Sequence, residues 1–174
     1  GEIYQSLQAV SRHRHNLVKQ RARLMVQIRR LLHQTMSGFA DLFQDDHLFH
    51  KSIALAVAMQ FTSAAGVRQA GVEGIASHLS QTKVRFQLRT IERIVAWAGT
   101  AAEPAELAAM YTRQWQQLDE VRRLLEEQIA AAERELAGFL VKTPYVLLLS
   151  VTGINVVSAA RLAGEAGPIE HYAS

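Results

Sequence analysis

The chain has 174 residues, 49% of them apolar, and a formal net charge of +3. That is enough apolar material for one good core or two small ones, with a charge content ordinary for a folded protein. No apolar run approaches the ~20 residues that span a bilayer, Ile53 to Met59 and Val146 to Leu149 being far too short. Gly1-Glu2-Ile3-Tyr4 lacks the pattern of a secretory signal, and the absence of cysteine excludes disulfides and thiolate metal sites. The expected compartment is the cytoplasm, with no membrane partner.

Ile3, Leu7, Val10, Arg14, Leu17, Arg21, Leu24, Ile28 and Leu31 recur at spacings of four and three. This is a heptad seam interrupted by two arginines, and it predicts one long helix over about residues 3–36, ended near Gly38. Residues 39–99 read as a small helical insert. Asp45 or Asp46 is suited to cap a helix through about Thr62. Gly66 and Gly71 bracket a short element, a brief helix follows over Val72 to Ser80, and another is predicted from Lys83 to Trp97.

A second long helix is expected to begin at Glu103-Pro104, with Pro104 in its first turn, and to stop before Pro144. Its stripe is Leu107, Met110, Tyr111, Leu118, Val121, Leu125, Ile129, Ala132, Leu136 and Leu140. Two such helices cannot bury their stripes alone, so they pair as an antiparallel coiled coil within the chain or with a second copy. Glu120, Glu126, Glu127, Glu133 and Glu135 are candidates to lie opposite the basic first helix.

The last segment, Ser150 to Gly167, reads as helix, glycine turn and small-residue helix, a helix-hairpin-helix signature. Gly153 supplies the positive φ of the turn and Asn155 is the next most tolerant residue for a left-handed conformation. A helix starting there presents bare amides suited to a phosphate. The competing reading is a plain helical corner with Ile154, Val157 and Leu162 in a core. The expected fold is thus all-α: a long antiparallel coiled-coil hairpin with a small helical insert and a C-terminal helix-hairpin-helix-like segment. Its parts are the long basic helix (1–38), the insert (39–100), the return helix (101–143) and the start of the C-terminal domain (144–174).

Charge is uneven along the chain. Residues 1–33 hold seven Lys or Arg against one acid, whereas from residue 100 onward ten acids face six bases. An electrostatic partner therefore meets the first helix. Its candidate contacts are Arg12, Arg14, Lys19, Arg21, Arg23, Arg29 and Arg30, flanked by His13, His15 and His33. They surround the helix, which suits phosphate-backbone contact better than base readout. Lys83, Arg85, Arg89 and Arg93 form a second, weaker patch.

Enzymatic chemistry finds little support. Asp45, Asp46, His47 and His50 are dense in potential ligands, but no matching third and fourth partner is recognisable. Ser158 and Tyr145 lack a neighbouring base or arginine set. No catalytic or metal-binding residue is assigned, and no cofactor is expected within this stretch.

The run Arg12 to His33, the helical insert, the second long helix and then Leu148 to Ser174 together resemble the middle of one transposase family. These are the DEDD-type insertion-sequence transposases related to the Piv DNA invertase. There, a basic R-x-R-x-x-L-V-x-x-R helix ends a RuvC-like nuclease domain, a pattern that Arg12, Arg14, Leu17, Val18 and Arg21 match in type and spacing. A coiled coil follows, and a C-terminal domain opens on L-x-x-I-P-G-I-G-x-x-x-A-x-x-L-x-x-E-I-G. Thr152 stands where the family usually has Pro, and Asn155 where it usually has the second Gly.

The resemblance implies an oligomerisation arm and nucleic-acid scaffold, with DNA and in some members a guide RNA as partners and a homo-oligomer held by the coiled coil. The family's acidic ligands, which take Mg²⁺ in the intact enzyme, are expected upstream of Gly1 and its active-site serine downstream of Ser174. Gly153, Ile154 and Asn155 would form the hairpin turn, with Ser158 and Arg161 as phosphate neighbours. The alternative is a helical dimerisation module without nucleic-acid binding, in which Arg14 and Arg21 set register.

Overall fold

The computed structural model describes residues 1–44 and 47–169, and every regular element among them is helical. Asp45 and Asp46, the candidate cap and ligands, lie outside the described residues, as does the tail from Glu170. In chain order the α-helices are α1 (Glu2–Thr35), α2 (His47–His50), α3 (Ser52–Phe61), α4 (Ala64–Gln81), α5 (Leu88–Thr100), α6 (Ala108–Leu140) and α7 (Val156–Ala166). Short 3₁₀ turns occupy Ala40–Leu42 and Pro144–Ser150. The chain divides into two compact units, Gly1–Arg23 with Val121–Ser174, and Leu24–Glu120.

In the first unit, Arg14 Nε donates to Glu133 Oε1 at 3.0 Å and Arg21 Nη1 to Glu126 Oε2 at 2.9 Å. Seven residues forward along α1 thus correspond to seven back along α6, which is antiparallel pairing in a heptad register. Leu7, Leu136, Leu140, Tyr145, Ala159, Ala160 and Ala163 form the buried core there. Each leucine so buried contributes roughly 1.5–3 kcal/mol of transfer free energy. Tyr145 meets Tyr4 edge to face, ring centroids 6.1 Å apart, and its hydroxyl donates to the Gly167 carbonyl at 2.7 Å.

The second unit packs around rings. Gly38 takes φ +81° and ends the α1 turn where Trp97 Nε1 donates to the Ser37 carbonyl at 2.8 Å. Phe39 contacts both Phe43 and Trp97 edge to face. Arg68 of α4 reaches the Ala98 carbonyl near the end of α5, and Arg93 of α5 reaches the Leu42 carbonyl, both at 2.6 Å. Such bonds satisfy carbonyls that a helix or turn end leaves open.

Four sequence expectations change. The helix expected through Thr62 is broken at Lys51, which is extended at φ −97°, ψ 125° and separates α2 from α3. Lys83 does not begin a helix. It takes φ +58° behind the α4 cap, and Val84 N–H donates to the Leu79 carbonyl at 2.9 Å. That is a Schellman closure with lysine where glycine is usual, and it leaves 84–87 non-helical before α5 starts at Leu88. Pro104 does not open the long helix either, because the Ala105 N–H is bonded to the Gln34 carbonyl at 3.3 Å and α6 starts at Ala108. The first helix of the C-terminal hairpin is a 3₁₀ turn begun by Pro144. The kink at Gly71, φ +65°, falls where the two short insert elements meet inside α4.

Candidate nucleic-acid interface

The seven basic side chains of α1 sort by what already holds them. Arg14 and Arg21, in the seam, are only 22% and 25% exposed and carry the two glutamates of α6. In the second unit, the Arg29 guanidinium lies 5.4 Å from the Phe49 ring centroid. Arg12, Lys19, Arg23 and Arg30 are exposed and make no ion pair among the described residues. The spacing of Arg12, Lys19 and Arg23, seven and then four, keeps them within ~20° of one line along a helix of 3.6 residues per turn. Arg30 continues the spacing by a further seven. The full set surrounds the helix, as expected, but in the first unit the three cations without an ion pair among the described residues share one side.

The start of α7 is built by Asn155, and not in the conformation expected of it. Asn155 is extended, φ −106° and ψ 179°, and its Oδ1 accepts from the Ser158 N–H at 2.9 Å. It is an N-cap, so one of the first amides is already satisfied. The left-handed residue of the turn is Gly153 alone, exposed, at φ +89°. Ile154 and Val156 pack against the core of the first unit, while Ser158 faces solvent.

These separate stretches meet in that unit. A cleft of about 400 Å³ is lined by Ser11, Arg12, Arg14 and His15 of α1 and by Val157, Arg161 and Glu165 of α7. A shallower one of about 640 Å³ at the start of α7 is lined by Arg14, Glu133, Arg134, Asn155 and Ser158. Arg14 belongs to both. Arg161 sits 3.4 Å from Glu165 on its own helix, with both side chains largely exposed, so the pair restrains it little. The Ser11 hydroxyl is buried and has no hydrogen-bond partner among the described residues. Arginines outnumber carboxylates in both linings, three to one in the first and two to one in the second, where Arg14 is bonded to Glu133 and Ala130, Ala137, Val156 and Val157 make much of the wall apolar.

What brings α7 so near α1 is Gly164. A Cβ there would lie 2.9 Å from the Gln8 backbone nitrogen and 3.0 Å from its Cα. Gly164, Arg134 and Ser11 were not singled out by sequence reasoning. The small-residue run Ala159-Ala160-Ala163-Gly164 was the available signal for a close helix crossing.

The chain matches no protein-family model, and comparison with curated proteins and with solved structures gave no match.

Among the described residues no group of three or more His, Asp or Glu is placed to hold a metal ion. His47 and His50 are exposed on the single turn of α2. No helix among the described residues is long and apolar enough to cross a membrane.

Proposed function

We propose that this chain is the oligomerisation arm and nucleic-acid scaffold of a cytoplasmic DNA transposase of the DEDD type, binding DNA or a guide RNA through its phosphates. The observation that carries the reading is the convergence, in one unit, of Arg12, Arg14 and Arg161 on the clefts beside the Asn155-capped start of α7. Two stretches that the resemblance links to nucleic acid, far apart in sequence, line the same surface. The line of Arg12, Lys19 and Arg23 adds cations that no carboxylate neutralises among the described residues.

Binding to labelled duplex DNA and structured RNA across a salt series tests this, with light scattering to give the oligomeric state. Neutralising six phosphates would give a log–log salt slope of about −5. A slope near zero removes the scaffold reading.

A second reading is favoured by the Arg14–Glu133 and Arg21–Glu126 pairs, whose constant register is what a partner-specifying seam needs. On that reading the chain is a dimerisation module, and Arg14→Leu with Arg21→Leu alters the oligomeric state without touching nucleic-acid affinity. The scaffold reading predicts a lowered affinity in the same variant.

A further inference from the structure

The second unit has its own cationic cleft, of about 730 Å³, formed where the chain departs from regular helix. Lys51 and Ser52 line it at the break before α3, Arg85 and Phe86 line it from the segment after the Schellman closure, and Ser80 and Thr90 add hydroxyls. Among the described residues its lining contains no carboxylate. Lys51 and Arg85, with neighbouring Lys83 and Arg89, are exposed and make no ion pair among the described residues. That sets them apart from Arg14 and Arg21, which are bonded to glutamates.

We propose that this cleft is a phosphate-binding site. Phosphate is the anion that suits a lining of one guanidinium, one ammonium and three hydroxyls, since it offers several strong acceptors to donors arriving from different sides. Phe86 packs against the core from the same wall and leaves part of the cleft apolar, compatible with the ring or sugar that a phosphate ester carries. Both wall segments are backbone-fixed. Lys83 at φ +58° and the Val84-to-Leu79 bond hold the start of segment 84–87, and Lys51 holds an extended geometry between two helices. Departures from local helical preference concentrated around one concavity are where function is expected to reside. The phosphate has two sources, a free mononucleotide or the backbone of a nucleic-acid strand, and the second would extend the scaffold role proposed above.

The test uses the full chain with adenosine monophosphate and, separately, fluorescein-labelled oligothymidylate, comparing Lys51→Ala/Arg85→Ala with Arg12→Ala/Arg161→Ala. All four substituted side chains are exposed, so helical content serves as the folding control. The Lys51/Arg85 variant should weaken whichever source binds by about tenfold or more. If the source is the strand, its salt slope should also fall by about 2. Lys51→Arg should retain binding.

Loss of mononucleotide binding in that variant, with no strand binding by the unmodified chain, supports the site and removes the scaffold reading. Strand binding lost only in the Arg12/Arg161 variant removes this site and leaves the scaffold reading standing. Unchanged binding in both variants removes both.

Discussion

The second unit is interlocked by rings, with Phe39 between Phe43 and Trp97 and with Trp115 wholly buried, whereas α7 is seated in the first unit by Ala159, Ala160, Ala163 and the bare backbone at Gly164. Large side chains fill space between helices held apart, while small ones let backbones touch. The two strategies also fix what each unit offers to a partner. Close approach of α7 gathers Arg12, Arg14 and the Asn155 cap onto neighbouring clefts, Arg14 being bonded to Glu133. Ring packing leaves an open concavity whose cations are unengaged.

The comparison breaks first at Trp115. Trp115→Ala should cost about 3–5 kcal/mol, the range for truncating a buried aromatic, read as a lowered denaturant midpoint. The first unit should respond next, at Gly164. Alanine there adds helix propensity of ~1 kcal/mol, yet its Cβ meets the Gln8 backbone. A net loss of about 1–3 kcal/mol is expected from overpacking against an element that cannot yield, and hydrogen exchange should show the α7 amides opening first. Improved stability would mean that α7 does not rest on α1 through this glycine. The smallest effect is Asn155→Ala, about 1 kcal/mol through loss of the cap, seen as faster exchange confined to the start of α7.

The long helices were legible from sequence because their heptad stripes are continuous and Gly38 supplies an evident stop. α1 covers Glu2–Thr35 and α6 stops at Leu140, close to expectation. The start of α6 was not legible, since the Ala105 N–H is claimed by the Gln34 carbonyl, distant in sequence, and Pro104 carries no sign of that bond. Nor was the end of α4, where lysine occupies a left-handed position that composition assigns to glycine. Asn155 was singled out correctly as a turn residue but for a conformation it does not adopt, because a side-chain cap and left-handed tolerance select the same residue type. Arg14 and Arg21 stood out as polar interruptions of the seam, and their glutamate partners were among five candidates. Which cations make no ion pair among the described residues, four along α1 and four at Lys51, Lys83, Arg85 and Arg89, required coordinates, for pairing depends on register across helices.

Both tryptophans of the chain, Trp97 and Trp115, belong to the second unit. Trp97 donates its indole proton to a carbonyl, while the Trp115 Nε1 is buried with no partner among the described residues. Intrinsic tryptophan emission is therefore an optical channel for one half of the molecule, to which the Tyr4–Tyr145 unit contributes no indole. Set beside far-ultraviolet dichroism, which counts helix everywhere, it separates the melting of the two units without any label. Coincident curves would mean one cooperative molecule, and displaced curves two independent folding blocks sharing a pair of long helices.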